Sequence, residues 1–246
     1  MKKNKLLIAL SVFVMAIMIV FATGTKVEAA SKKQKTGKAY AKIIKEYQKA
    51  YKYAKTGKDY TKLNINREFV YAVQPYGYGD GRPVYRIMDF NKDGNQELFI
   101  ALERGETATI YDVYTFHNGK AVRLMEGIGY RAGTCSLRKG GIIADHSTGG
   151  AASVMAQYHK LPKKSEKLKT IVTLSMDGFS EKPFYKIVKG KKTYITEKQY
   201  RKLEKKYEKK YKKIKVTFYK VDSKAIKNVK KGKFNYKGQK TYKVTT

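Results

Sequence analysis

A single cysteine, Cys135, in 246 residues leaves no internal disulfide to form, so stability has to come from the core and from any bound metal. Histidine is nearly as scarce, with three in the chain. His117, His146 and His159, together with Cys135 and Asp145, are the whole stock for nucleophilic catalysis. No phosphate-cradling glycine loop, zinc-ligand spacing or dinucleotide fingerprint occurs. After Phe21 no apolar run is long enough to span a bilayer. Acids are few as well: 20 Asp and Glu stand against 54 Lys and Arg, a net charge of +34.

The basic excess is unevenly spread. Residues 64–159 hold ten Lys or Arg and ten Asp or Glu, a balance of zero, whereas residues 30–63 carry +9, 160–181 carry +2 and 182–246 carry +20. A neutral centre therefore sits between basic flanks, built of Lys almost to the exclusion of Arg. Lys is a hydrated point charge rather than a bidentate fork, so the pattern suits diffuse attraction to polyanions.

At the start, Lys2, Lys3 and Lys5 precede an apolar run from Leu6 to Phe21, with small and polar residues and Val27-Glu28-Ala29 after it. This fits a secretory signal peptide over 1–29; the length of the run keeps an uncleaved N-terminal membrane anchor as the alternative. No cysteine lies near the cleavage site to carry a lipid. Without residues 1–29 the net charge is +31.

Residues 30–37 read as a polar linker. Tyr40, Ile43, Ile44, Tyr47, Tyr51 and Ala54 then recur at intervals of three and four, an amphipathic helix stopped by Gly57. Glu68–Val73 reads as a short strand and Gln74–Pro83 as a turn rich in Gly and Tyr. Strand signals become dense from Val84, and Asn118-Gly119 supplies the positive φ of a type I′ hairpin turn. A second amphipathic helix opens at Thr196, where Gln199 completes a capping box, and carries Tyr200, Leu203, Tyr207 and Tyr211 on one stripe. The fold class is α+β: an antiparallel meander of about six to eight strands packed with an N-terminal and a C-terminal amphipathic helix. One domain spans 38–223, followed by a Lys-rich tail over 224–246.

Spacing implies chemistry in one stretch, Asp89 to Glu97, DFNKDGNQE. A hard cation such as Ca²⁺ needs several oxygen ligands at about 2.3–2.6 Å, and a tight loop offers them from alternate residues. Asp89, Asn91 and Asp93 meet that need, Asn95 offers its backbone carbonyl, and Glu97 closes the ring. An EF-hand requires a bidentate acid at loop position twelve, where Ile100 stands, so this is not an EF-hand. A metal-free turn explains the same composition, since Asp, Asn and Gly are ordinary turn formers. With metal, the loop is a structural staple suited to the roughly millimolar Ca²⁺ outside cells, where module sites have dissociation constants on the order of 10⁻⁴–10⁻³ M.

The loop resembles the D-x-[DN]-x-D-G-x-x-[DE] loop of integrin-type (FG-GAP) repeats, in which Ca²⁺ pins a turn between two strands. Residues 38–212 together resemble a group of secreted proteins and lipoproteins of Gram-positive bacteria. The text that carries this is EYQKAY, the loop, DVYTFHNGKAVRL, a Gly-Gly-Ala segment and an IT-E-x-Q-Y-x-x-L-E-x-x-Y helix. The resemblance implies a cation-binding role for Asp89, Asn91, Asp93, Asn95 and Glu97, and implies no catalytic residue. Asn91 stands where many such loops have Asp, which implies weaker metal affinity.

Two functions follow as expectations. The first is a secreted, non-enzymatic, Ca²⁺-stabilised module on anionic cell-wall polymers or lipids, or on another extracellular polyanion, with nucleic acid as a further partner through phosphate contacts. The second is a secreted hydrolase using the Asp145/His146 region.

Overall fold

The computed structural model describes residues 30–74, 81–105, 107–125, 133–150, 152–236, 239 and 241–244. The expected signal peptide lies outside these residues, as do positions 75–80 of the Gly- and Tyr-rich turn. Among the described residues there are four helices, α1 (30–56), α2 (Arg67–Val73), α3 (Glu197–Lys210) and α4 (Ser223–Lys230). The strands are β1 (Arg82–Met88), β2 (Glu97–Arg104), β3 (Thr107–His117), β4 (Lys120–Arg123), β5 (Thr134–Arg138), β6 (Ile142–Gly150), β7 (Ser153–Lys160), β8 (Lys169–Asp177), β9 (Phe184–Val188), β10 (Lys191–Tyr194), β11 (Val216–Lys220) and β12 (Thr241–Val244). The class is α+β with antiparallel strands. Where the sequence suggested one meander, the strands form two six-stranded sheets, ordered β12-β11-β1-β2-β3-β4 and β10-β9-β8-β7-β6-β5.

The elements stack in layers. On one face of the first sheet, Tyr85, Ile87, Leu98, Ile100 and Tyr219 pack against Tyr40, Ile44 and Tyr47 of α1, Phe69 of α2 and Val229 of α4. Its other face, with Val84, Phe99, Val113 and Phe218, meets Cys135, Leu137 and Ile143 of the second sheet. The far face of that sheet, through Ala144, Tyr158 and Leu174, holds the Tyr200, Leu203, Tyr207 and Tyr211 stripe of α3. The basic flanks thus supply helices on both outer sides, and the neutral centre supplies most of the strands between them.

Three expectations are corrected. Residues 30–37, read as a linker, form the first turns of α1, with Thr36 buried. Glu68–Val73, read as a strand, belongs to α2, because Asn66 caps it by accepting from the Glu68 N–H and so satisfies an orphan donor of the first turn. The tail from residue 224 folds into α4, capped by Asp222, and into β12 paired with β11. By contrast the Thr196–Gln199 capping box forms, and Asn118 and Gly119 adopt the φ values +47° and +79° of the hairpin turn.

Gly37 is the contact on which α4 docks. A Cβ there would lie 2.1 Å from the Val229 carbonyl oxygen and 2.9 Å from the Gly232 nitrogen. Gly37→Ala is therefore expected to destabilise the chain by about 1–3 kcal/mol through overpacking, although the same change inside a free helix gains about 1 kcal/mol. Urea unfolding checks the sign.

Candidate metal centre

Strand β1 ends at Met88 and β2 begins at Glu97, so the acidic loop is the connection between two paired strands. Asp89 draws the loop tight: its Oδ1 accepts from the Asp93 N–H at 3.0 Å and its Oδ2 from the Gly94 N–H at 3.0 Å. Asp93 accepts from the Asn95 N–H at 2.7 Å, the Asn91 amide at 3.1 Å and the Lys164 N–H at 2.6 Å. Lys164 follows the second sheet's β7, so Asp93 clasps one sheet to the other. Partial burial pushes the Asp93 carboxyl up, but the N–H groups of Lys164 and Asn95 outweigh it and hold it below the usual carboxylate range.

Asn91 is pressed into the seam between the sheets. Its Nδ2 donates to Asp93 and, at 3.1 Å, to the Pro162 carbonyl. Two acceptors on that side fix the orientation of the amide. The opposite atom, Asn91 Oδ1, is buried and has no partner among the described residues, which is costly for a carbonyl oxygen. Gly141, in the β5–β6 turn, makes this approach feasible: its φ is +69°, and a Cβ would stand 2.8 Å from the Asn91 Cβ.

Glu97 is fully buried at the inner end of the loop. Its Oε2 accepts from the Phe90 N–H at 2.9 Å and its Oε1 from the Thr115 hydroxyl at 3.1 Å. Burial, reinforced by the charges of Asp93 and Asp89, pushes its carboxyl up to about 7. The loop therefore brings three carboxylates close enough to repel, with one of them cut off from solvent.

These residues fit a hard cation, though unequally. A carboxylate has about four acceptor positions, so Asp89 and Glu97 keep capacity beyond their hydrogen bonds, and Asn91 Oδ1 is wholly unused. Asp93 is largely committed to N–H donors. Among the described residues no three His, Cys, Asp or Glu side chains are grouped to hold a metal by themselves. A cation here would need Asn91 Oδ1 and main-chain oxygen, such as the carbonyl of Asn95. Such an ion would supply charge balance and a cross-link.

The residues of the hydrolase expectation do not come together. Asp145 and His146 are successive residues of β6 and point to opposite faces. Asp145 sits across from Cys135 and Gln157, and burial pushes its carboxyl up to about 6. The Cys135 thiol is buried and pushed well above its ordinary range by burial first and then by Asp145, so it is held as the unreactive thiol. His146 faces α3, with Nε2 3.8 Å from Glu208 Oε1. His159 is partnered by Thr170 at 3.1 Å, and His117 closes β3 near the outer rim of the acidic loop.

Two charged networks escaped the sequence reading. Asp112, fully buried in β3, accepts from Tyr47, from Tyr114 at 2.8 Å and from Arg123 Nε at 3.0 Å. Arg138, 1% exposed, forms a fork with Glu208 at 2.6 and 2.9 Å and donates to the Tyr211 carbonyl at 2.7 Å. A core-facing Asp between aromatic residues in TIYDVYTF was the available signal for the first. Compared with protein-family models, curated proteins and solved structures, the chain matches none of them.

Proposed function

We propose that this chain is a secreted, non-enzymatic binding module whose two sheets are stapled by a Ca²⁺ loop and whose basic layers hold it on the anionic cell envelope or another extracellular polyanion. The observation that carries the proposal is the pairing of an unpartnered, buried Asn91 Oδ1 with the buried Glu97 carboxyl beside Asp89 and Asp93, at the seam of the sheets. The N-terminal signal pattern and the resemblance to secreted Gram-positive proteins support the extracellular address. The amphipathic helices α1 and α3 form the Lys-rich outer layers in this reading, where phosphate or carboxylate polymers meet them. A binding role is favoured over hydrolysis because Asp145 and His146 lie on opposite faces of β6.

The test is thermal unfolding in millimolar CaCl₂ and in EDTA, on protein first stripped of metal. At tenfold excess over the dissociation constant, Ca²⁺ is expected to add about 1.4 kcal/mol, a rise of roughly 3–6 °C for a chain of this size. Asp89→Ala and Asn91→Ala each abolish the rise. Superimposable curves in Ca²⁺ and EDTA would reduce the loop to a hydrogen-bonded turn.

A further inference from the structure

Helices α1 and α4 leave a groove of about 490 Å³ between them. Its rim is Lys38, Lys42 and Lys45 from α1 and Lys227 and Lys230 from α4, and its floor includes Ala41 and Ile226. On α1 the three lysines stand at i, i+4 and i+7, one stripe of the helix. On α4 the two are three residues apart, again on one face. The close approach at Gly37 fixes the two stripes opposite each other.

Five lysines line the groove with no acid among its lining residues, and among the described residues none of the five is within ion-pair distance of a carboxylate. A few lysines elsewhere lie over tyrosine rings, as Lys192 does over Tyr185 at 3.9 Å. Like charges held together in this way repel, and an anion laid between them relieves the repulsion.

We propose that the groove binds a linear, base-free phosphate polymer of the polyol-phosphate type, an assignment that rests on the polyanion reading above and gives it a site. At about 1.5 Å rise per residue, Lys38, Lys42 and Lys45 are spaced by about 6 and 4.5 Å along α1, and their flexible four-carbon stems let the ammonium groups spread to reach successive phosphates of an extended chain. Each lysine offers three donors as a point charge, which suits phosphate oxygens without demanding fixed geometry. The apolar floor receives the methylene groups of the polyol. The groove is recessed between two helices, which suits a single polymer chain better than a flat bilayer, and its lining has no aromatic ring on which a nucleobase could stack.

The experiment measures binding of the full chain to poly(glycerol phosphate) over a salt series. Lys42→Gln/Lys45→Gln/Lys227→Gln is compared with Lys167→Gln/Lys169→Gln/Lys191→Gln, which removes the same charge from β8, β10 and the loop before β8. Glutamine keeps helix propensity close to that of lysine. The groove variant is expected to lose about tenfold or more in affinity, with a log–log salt slope shallower by about 2 for three lost contacts. The control variant is expected to lose less than threefold. Equal losses in both variants would overturn the groove and leave diffuse polyanion binding intact. Binding of oligo(dT) as tight as the polymer through the same three lysines would overturn it in favour of nucleic acid. Groove-dependent binding confined to phosphatidylglycerol vesicles would overturn it in favour of lipid. No binding to any of these would overturn the envelope reading as well, while the Ca²⁺ melting test would still report on the loop alone.

Discussion

Glu208→Ala is expected to lower the unfolding free energy by about 3 kcal/mol, and Arg138→Met by about 1 kcal/mol, although the two substitutions break the same ion pair. The asymmetry comes from burial. The Arg138 side chain is 1% exposed and that of Glu208 45%. Removing Glu208 strands a guanidinium that water barely reaches, and breaking a buried pair in this way costs about 3–5 kcal/mol. The lower end applies because the Tyr211 carbonyl still accepts from Arg138 and the adjoining cavity of about 480 Å³ has room for water. Removing Arg138 instead leaves a carboxylate that turns to solvent, still hydrogen-bonded by Tyr158 at 3.0 Å, and methionine fills most of the stem volume at a typical cost below about 1.5 kcal/mol. Urea midpoints of the two variants at one pH decide the matter. Equal losses would mean that the pair acts through packing rather than through the stranded charge.

What the sequence made legible follows from how local each signal is. The Thr196–Gln199 box, the Asn118-Gly119 turn and the tyrosine stripes of α1 and α3 depend on residues within a few positions of one another, and each reads directly from the chain. Sheet membership is not local. Alternation marks a strand and its two faces, but β5 and β6 carry the same pattern whether they extend the first sheet or open a second. Strand β10 is KKTY, exposed at all four positions, so no apolar alternation marks it. The acidic loop was legible as a motif, whereas its clasp to Lys164 and Pro162, about seventy residues away, depends on the packing of the sheets. The folded tail escaped notice because the apolar contacts of α4, Ala225, Ile226 and Val229, are diluted by lysine.

Asp112 shows a local break that alternation hides, and it supports a second large expectation. The pairing of β2 with β3 shifts so that Ile100 faces Asp112 and Ala101 faces Ile110, leaving Tyr111 as the extra residue of a bulge. Before the bulge Ile110 faces the second sheet; after it Tyr114 and Phe116 face the helices, and Asp112 turns with them to meet Tyr47. Arg123, Tyr47 and Tyr114 all donate to one oxygen, Oδ2, and the Val113 N–H also favours the charged form, while among the described residues the buried Oδ1 has no hydrogen bond of good geometry. Burial therefore outweighs Arg123 and pushes the carboxyl from 3.8 up to about 6. A raised carboxyl favours the protonated fold. Below about pH 3.8 folded and unfolded chains are both protonated at this group and nothing is lost; as pH rises to about 6 the unfolded chain ionises first, and the fold gives up about 3 kcal/mol. Asp112→Asn keeps an oxygen for the three donors and removes the titration, its Nδ2 taking the place of the orphan oxygen beside a cavity of about 300 Å³. Glu97 and Asp145 are raised as well, so the wild-type curve alone is composite, and the difference between wild type and Asp112→Asn isolates this group. Urea unfolding of both proteins between pH 3.5 and pH 7 is expected to show the variant gaining about 3 kcal/mol relative to wild type across that interval. Parallel curves would mean that Arg123 and the hydroxyl donors offset burial, so that the folded carboxyl titrates as the unfolded one does, and the buried oxygen of Asp112 would then be paired by water rather than left bare.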